Sequence, residues 1–203
     1  MDAHLKRDAD TAFDVTKLKH YNDFSDFPKS ISLSASTLCA HLEDGMALEM
    51  FTRQSNEGTV EWLQRVQAGR GWVSPIYETL KISVVQACSG FVQLSMTASS
   101  FAGNPTGKLH GGALATILDC AMALAVDSAL GATQVSATAE MSVRFMGAQE
   151  ANGSTVLASG SVTQLGRRLA FATAEVVDES GRLLANAAGT FVVNEARLKP
   201  TAN

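Results

Sequence analysis

Residues 109–130, LHGGALATILDCAMALAVDSAL, decide how the rest of the chain folds. After the glycine pair this stretch is apolar on almost every face, and its only charges are the carboxylates of Asp119 and Asp127. A helix that is apolar all round is usually buried. A helix over residues 112–130 would be about 28 Å long, nearly enough to cross a bilayer. A carboxylate in the middle of a membrane costs about 3 kcal/mol or more, so Asp119 favours the core helix of a globular protein instead.

The segments on either side of this helix alternate apolar and polar residues with a period of two, which is typical of half-buried strands. Upstream, the alternation runs from Tyr77 through Leu80 to Val84 and again over residues 92–96, with a Ser89-Gly90 hairpin signal between them. Downstream, four strand-like runs follow, separated by short polar turns. The first has a predicted apolar face of Ala139, Met141, Val143 and Phe145, opposed by Thr138, Glu140, Ser142 and Arg144, and the others cover residues 155–164, 169–177 and 182–193.

The order of these elements predicts an α+β fold. Consecutive strands joined by short turns favour an antiparallel meander, and the single long helix must then lie across one face of the sheet. Small inner residues in the last run, Ala185, Ala187 and Gly189, would let a helix or a second sheet approach closely. A shorter helix is predicted over residues 56–68, before the first strand.

Length and composition indicate one main domain. With 203 residues, 46% of them hydrophobic, the chain can bury a sizeable core. We expect this domain to cover residues 56–195. It would follow an N-terminal extension of unassigned role over residues 1–55 and precede a C-terminal tail over residues 196–203.

Charge and cysteine content exclude several classes of function. The net charge of −4 gives no basic excess, so neither a nucleic acid nor an anionic membrane surface is expected as a partner. Cys39, Cys88 and Cys120 lack metal-ligand spacing and are interpreted as reduced, mostly buried thiols of a cytoplasmic protein. The first residues contain no apolar signal region, which agrees with that location. No zinc signature, phosphate-binding loop or GxSxG elbow is present, so no metal or cofactor is expected.

The start of the long helix is the candidate site for chemistry. Helix N-termini carry unpaired amides with a partial positive charge, and Gly111 and Gly112 have no side chains to keep a ligand away from them. A carbonyl oxygen there would be polarised, and Asp119, about two turns further along, could act as a base or nucleophile.

Structural interpretations compete at each of these positions. Paired glycines before a helix are often a turn device, and a buried aspartate often accepts hydrogen bonds from backbone amides. His110 is either a general base or a residue that stabilises the turn. Asp127 is interpreted as solvated or salt-bridged, and Cys120 as a structural thiol.

Three segments carry a resemblance to a known family: LHGGALATILDCAMA, VSATAEMSVRFMGA and GRRLAFATAEVVDESGRLLANAAGTF. Together, over about residues 70–194, they resemble the hotdog-fold acyl-CoA thioesterases. The branch they resemble is the phenylacetic-acid-degradation (PaaI-like) type of the 4-hydroxybenzoyl-CoA thioesterase superfamily. The resemblance implies a hotdog fold, in which a curved antiparallel sheet wraps around one central helix. It also implies homodimers or tetramers whose active sites are shared between protomers, with an acyl-CoA as substrate.

The resemblance also implies a role for each site residue. Asp119 matches the carboxylate that acts as general base or nucleophile, and the amide of Gly111 matches the group that polarises the thioester carbonyl. Asn104 matches a residue that orients the carbonyl or the water, and Thr138 matches one that positions the attacking water, with Ser136 as the fallback. Further expected substrate contacts are His110, Gly112, Arg167 and Arg168, of which the two arginines would lie near the phosphates of coenzyme A or else in a solvated turn.

The sequence therefore predicts an acyl-CoA thioesterase that releases a carboxylate and free coenzyme A without a cofactor or metal. Two alternatives remain: a hotdog-fold hydratase or dehydratase, for which His110 is the only histidine in the core region, and a non-catalytic acyl-CoA-binding module. The acyl-group preference, the choice between dimer and tetramer, and the choice between base and nucleophile for Asp119 stay open.

Overall fold

The described part of this chain contains six strands, three α-helices and a short 3₁₀ helix at Ser100–Ala102. The structure, a computed structural model, describes residue 53, residues 57–69 and residues 74–195. The helices are α1 Thr59–Gln67, α2 Pro75–Leu80 and α3 Gly111–Ala129, and the strands are β1 Ile82–Cys88, β2 Phe91–Thr97, β3 Gln134–Phe145, β4 Thr155–Leu165, β5 Leu169–Asp178 and β6 Leu183–Glu195. The predicted α+β class, with one long helix against an antiparallel sheet, is confirmed.

The strands form one sheet in the order β1-β2-β4-β5-β6-β3, and every neighbouring pair is antiparallel. The predicted meander is correct for β4, β5 and β6 and wrong for β3. Because β2 and β5 occupy both edges of β4, β3 pairs with β6 instead and lies at the edge of the sheet.

The connection from β3 to β4, residues 146–154, passes the loop that leads into α3. The amide of Leu109 donates to the carbonyl of Gln149 at 2.7 Å, and the amide of Ala151 donates to the carbonyl of Gly107 at 2.9 Å. These bonds tie the crossover connection to the start of the central helix.

Helix α3 lies against the inner face of the sheet. Its side chains at Ile117, Leu118 and Met122 have no exposed surface. By length and apolar composition α3 could cross a membrane, but most of it is buried inside this sheet, so it is a core helix and indicates no membrane protein. The closest approach is at Gly160 of β4, where a Cβ atom would lie only 2.2 Å from the carbonyl oxygen of Ala121.

Glycine at position 160 therefore lets helix and sheet meet backbone to backbone. The predicted small inner residues of β6, Ala185, Ala187 and Gly189, are also buried on the helix side.

Two local predictions before the sheet have different outcomes. The helix predicted over 56–68 is present as α1, with Thr59 and Leu63 buried. The strand pattern from Tyr77 is wrong up to Leu80, because these residues form α2. Pro75 supplies a φ suited to the first helical turn.

Leu80 and Tyr77, three residues apart, then share the buried side of this short helix. Lys81, at φ 53°, ends it and begins the chain's turn into β1. The Ser89-Gly90 hairpin joins β1 and β2 as predicted, and Gly90 has φ 78°.

The cysteine prediction is only partly correct. Cys88 and Cys120 are free thiols, but Cys88 is exposed and Cys120 is half-buried. Cys39 lies outside the described residues. The tail over 196–203 also lies outside them, as does the N-terminal extension apart from residue 53. The predicted domain boundaries therefore stay predictions.

Candidate active site

The first turn of α3 leaves one backbone amide available. His110 caps the helix, and its Nδ1 accepts the amide hydrogen of Gly112 at 2.8 Å. The carbonyl of His110 accepts from the amides of Ala113 and Leu114 at 3.0 and 3.2 Å. Within the described residues the amide of Gly111 has no hydrogen-bond partner. His110 thus stabilises the turn and occupies the Gly112 amide, while the Gly111 amide points out of the helix unpaired.

The carboxylate of Asp119 is held by the hydroxyl of Thr138. Thr138 Oγ1 donates to Asp119 Oδ1 at 2.8 Å. Asp119 is half-buried and Thr138 is exposed, so the pair lies at the surface of the protomer and not inside its core. Across the part of the chain described, Asp119 forms no ion pair. It therefore keeps acceptor capacity for a water or for a substrate.

A β-bulge explains why Thr138 reaches α3. Thr138 lies opposite Phe191, whereas Glu140 lies opposite Thr190, so Ala139 is an extra residue in β3. An extra residue changes which face of the sheet the following side chains occupy.

The alternation predicted for β3 is therefore wrong at one end. Met141 and Val143 pack against the core as predicted, but Ala139 is exposed. Thr138 lies opposite the buried Phe191 and shares its face, which is the helix side. A strictly alternating strand would place Thr138 on the other face.

Ser136 contacts a different carboxylate from Thr138. Its amide donates to Asp127 Oδ1 at 2.7 Å. Burial raises the pKa of Asp127 above its ordinary value of 3.8, against the opposing effects of the Ser136 hydrogen bond and the charge of Arg53. Asp127 is thus a half-buried acceptor for a backbone amide and not the solvated or salt-bridged residue that the sequence suggested.

Arg53 makes contacts that the sequence did not predict. Its Nη2 donates to the carbonyls of Ala132 at 2.9 Å and Gln134 at 3.2 Å, and its Nη1 donates to Thr59 Oγ1. A lone arginine in a polar segment gives no signal of such contacts, which depend on how the chain folds back.

Asn104 organises the loop before α3. Its Oδ1 accepts from the amide of Thr106 at 2.9 Å, from the Thr106 hydroxyl at 2.7 Å and from the amide of Lys108 at 3.1 Å. Such an Asx turn leaves the NH2 group of the side chain free to donate. Lys108 also pairs with Glu150 of the crossover connection.

Arg167 and Arg168 are exposed in the turn between β4 and β5. Neither side chain has a partner among the described residues. The carbonyl of Arg168 accepts from the amide of Val193, which lies opposite Ser136. This turn is therefore at the end of the sheet where β3 begins, with β6 between it and Ser136. Gly111 has Phe145, at the other end of β3, as its neighbour.

Cys120, next to Asp119, is a structural thiol. Burial raises its pKa to about 11, despite a hydrogen bond from Tyr77, whose own pKa is raised mainly by burial. The thiol is therefore protonated at neutral pH and is a poor nucleophile.

A polar groove of about 470 Å³ lies on the opposite face of the sheet, lined by Arg144, Glu175 and Asn186 among others. It contains none of the predicted site residues. Among the described residues no group of three or more His, Cys, Asp or Glu side chains could hold a metal ion. The absence of a cofactor stays a prediction.

Comparison with known proteins identifies the family. The model of the thioesterase superfamily matches residues 106–185, which include the start of α3, Asp119 and Thr138. A candidate esterase of Schizosaccharomyces pombe is 28% identical over 115 residues, which are 57% of this chain and 71% of that protein. The structure of the conserved protein PA5202 of Pseudomonas aeruginosa is 30% identical, with a TM-score of 0.57, and the match covers 60% of this chain and 95% of that one.

The chain belongs to the thioesterase superfamily. The predicted class of enzyme, a thioester hydrolase, is thereby confirmed. Two further structures share the fold. One is the PaaI protein of the Escherichia coli phenylacetic acid degradation operon, 22% identical with a TM-score of 0.57. The match covers 61% of this chain and 86% of that one.

The other is a hypothetical thioesterase of Streptococcus pneumoniae with coenzyme A, 21% identical with a TM-score of 0.53. The match covers 58% of this chain and 91% of that one. The predicted hotdog fold and the likeness in fold to PaaI are confirmed.

Proposed function

We propose that this thioester hydrolase acts on acyl-CoA thioesters, releasing a carboxylate and free coenzyme A, with Asp119 as general base or nucleophile. The single observation that carries this proposal is the hydrogen bond of 2.8 Å from Thr138 Oγ1 to Asp119 Oδ1. It joins two residues that the family resemblance assigned to one site, and it leaves Asp119 half-buried and without a cationic partner in the described chain.

Two chemical routes use this carboxylate. As a base, Asp119 takes a proton from water, whose oxygen bonds to the thioester carbon while the carbon–sulfur bond breaks and the thiolate takes up the proton. As a nucleophile, Asp119 attacks the same carbon and expels the thiolate, and water then hydrolyses the mixed anhydride. In both routes Thr138 orients the carboxylate, and water supplies the oxygen of the product acid.

The Gly111 amide is the proposed donor to the thioester oxygen. It has no partner among the described residues and lies at the positive end of a helix, where it would stabilise negative charge that develops on that oxygen. The ring of Phe145 would be 3.4 Å from a Cβ atom at Gly111, so this amide has an apolar neighbour that limits its contact with water. Asn104, whose side-chain NH2 group has no partner among the residues that the structure describes, is the second proposed donor.

Distance along the helix supports a site shared between two protomers. Gly111 and Asp119 are eight residues apart, which is about 12 Å of helix. Reacting groups must lie about 3 Å from the thioester, so Gly111 and Asp119 of one chain do not fit around the same carbon. We therefore propose that Asp119 of one protomer works with Gly111 and Asn104 of its partner.

Edge strand β3 is the proposed surface for this self-association. It is twelve residues long and, within the described part of the chain, pairs on one side only, with β6. An unpaired edge of this length is a ready template for another strand. Exposed Phe145 and Met146 at its end add apolar surface that a second copy would cover.

Coenzyme A as the thiol part of the substrate is supported by the Streptococcus pneumoniae thioesterase structure, which contains it. Arg167 and Arg168 are exposed and lack partners among the described residues, so they can pair with phosphates. His110 and Gly112 would contact the substrate beside the Gly111 amide. The cytoplasm, where acyl-CoA is present and thiols stay reduced, is the proposed location.

The test is release of free thiol from short, long and aromatic acyl-CoAs by the wild type and by Asp119→Asn and Asp119→Ala. We expect hydrolysis of at least one substrate, and a decrease in kcat of about 10³-fold in both variants. Wild-type protein that releases no thiol from any acyl-CoA would overturn the proposal. Hydration of an enoyl-CoA without thiol release would indicate the hydratase class, and binding without turnover a non-catalytic module.

A further inference from the structure

The central helix carries a second carboxylate, Asp127, that the proposed reaction does not use. It lies eight residues after Asp119 and accepts the amide hydrogen of Ser136 at 2.7 Å. We infer that Asp127 is a positioning residue for thioester hydrolysis, because it anchors the start of β3 to α3 and so holds Thr138 against Asp119. This inference rests on the proposed role of Asp119.

The path from Asp127 to Thr138 is short and continuous. Ser136 and Thr138 are two residues apart on one strand, which is about 7 Å, and they face the same side of the sheet. Their partners on β6, Val193 and Phe191, confirm this register. A displacement of the Ser136 backbone therefore moves the Thr138 hydroxyl directly.

This part of β3 needs an anchor because the sheet holds it weakly. In the described protomer β3 has β6 as its sole strand neighbour, and the bulge at Ala139 interrupts that pairing immediately after Thr138. Residues 134–138 are thus a short section of ladder, separated by the bulge from the longer section over 140–145. Hydrogen bonds from outside the sheet decide where such a section lies.

Arg53 strengthens the same junction from the other side. It donates to the carbonyls of Ala132 and Gln134, which precede Ser136, while Asp127 accepts from Ser136 itself. The backbone between α3 and β3 is therefore fixed through both its carbonyls and its amide. Arg53 also lies close enough for its charge to favour the ionised form of Asp127.

A double-mutant cycle tests the inference. The kcat and KM of acyl-CoA hydrolysis are measured for Asp127→Ala, Thr138→Val and the double variant, with Asp127→Asn as the matched control. The asparagine keeps an oxygen that can accept from the Ser136 amide and loses only the charge.

We expect Asp127→Ala to lower kcat about tenfold with little change in KM, since a small displacement of a positioned group is costly. In the Thr138→Val background the same substitution should lower kcat less than about twofold, because the group that it positions is already gone. Asp127→Asn should keep kcat within about twofold of the wild type.

Equal losses in both backgrounds would show that Asp127 does not act through Thr138, and a loss in Asp127→Asn as large as in Asp127→Ala would show that the hydrogen bond is not what matters. Either result overturns the inference. Failure of the proposed function has a different signature: Asp119→Asn and Thr138→Val would then leave kcat unchanged, or the wild type would release no thiol.

Discussion

Asp119 and Asp127 are two carboxylates on one helix, both held by β3, and they differ in what holds them. Asp119 accepts a side-chain hydroxyl, from Thr138, and lies at the surface of the protomer. Asp127 accepts a backbone amide, from Ser136, in a site buried enough to raise its pKa.

The difference shows how one helix can carry a reactive group and a structural group of the same type. A carboxylate bound to a backbone amide fixes the chain, because the amide cannot move without the strand. A carboxylate bound to a hydroxyl is oriented but keeps access to water and to a substrate. Chemistry is therefore expected at Asp119 and anchoring at Asp127.

The largest effect outside Asp119 itself is expected from loss of the Thr138 hydroxyl, which orients that carboxylate. Thr138→Val keeps the shape of the side chain and removes the donor to Asp119 Oδ1. The carboxylate would then no longer be held in one orientation, and we expect kcat for thiol release to fall about 10²-fold. Thr138→Ser, which keeps a hydroxyl, is the matched control.

Far-ultraviolet circular dichroism of Thr138→Val checks that its sheet remains. A folded Thr138→Val variant with the kcat of the wild type would show that the hydrogen bond to Asp119 is unimportant.

A smaller effect is expected on stability from substitutions at Asp127. Asp127→Ala leaves the Ser136 amide without its acceptor and should lower the free energy of unfolding by about 1–3 kcal/mol, measured by urea denaturation at neutral pH. Asp127→Asn keeps an acceptor and avoids burying a charge.

The pH dependence separates the charge of Asp127 from its hydrogen bond. Because the pKa of Asp127 is raised in the folded protein, the folded state binds the proton more tightly than the unfolded state does. Stability should therefore decrease as the pH rises from 3.8 through the raised pKa. Asp127→Asn should lack this decrease, so the Tm of the variant should rise relative to that of the wild type as the pH approaches neutral. A difference in Tm that does not change with pH would contradict the raised pKa.

The smallest effect is expected at Asp178, in the turn between β5 and β6. Hydrogen bonds from the Ser180 hydroxyl, above all, and from Arg182 and the Ser180 amide lower the pKa of Asp178 to about 2. At a pH above 3.8, the ordinary pKa of this group, the ionised carboxylate stabilises the fold. This contribution is lost as the pH falls towards 2.

The difference between the Tm at neutral pH and the Tm at acid pH should therefore be smaller in Asp178→Ala than in the wild type. The kcat should not change. The change in the Tm difference should be small and should shrink further in high salt, because the turn is exposed. A large loss of kcat in this variant would contradict the assignment of Asp178 to the turn alone.

The sequence predicts the core of this fold because its pattern is local. An apolar helix of nineteen residues, strands of period two and small residues at the helix–sheet contact all follow from neighbouring positions. The place of β3 does not, since it depends on which strand edges the rest of the sheet leaves free. The bulge at Ala139 is equally invisible, because only pairing with β6 makes the residue an extra one.

The candidate site divides in the same way. Gly111 at a helix start and Asp119 inside the helix follow from the sequence, and the family resemblance added Thr138. The structure brings Thr138 and Asp119 together. The anchoring by Asp127 and Arg53 was missed, because a carboxylate near a helix end and an arginine in a polar segment are ordinary surface residues in a sequence.

The most direct test compares two substitutions that remove one charge each from the same helix. Thiol release from the best acyl-CoA substrate is measured for Asp119→Asn and Asp127→Asn under identical conditions. We predict that Asp119→Asn lowers kcat about 10³-fold and that Asp127→Asn keeps it within about twofold of the wild type. Equal activity in the two variants, whether both are active or both are silent, would contradict the assignment of chemistry to Asp119 and of anchoring to Asp127.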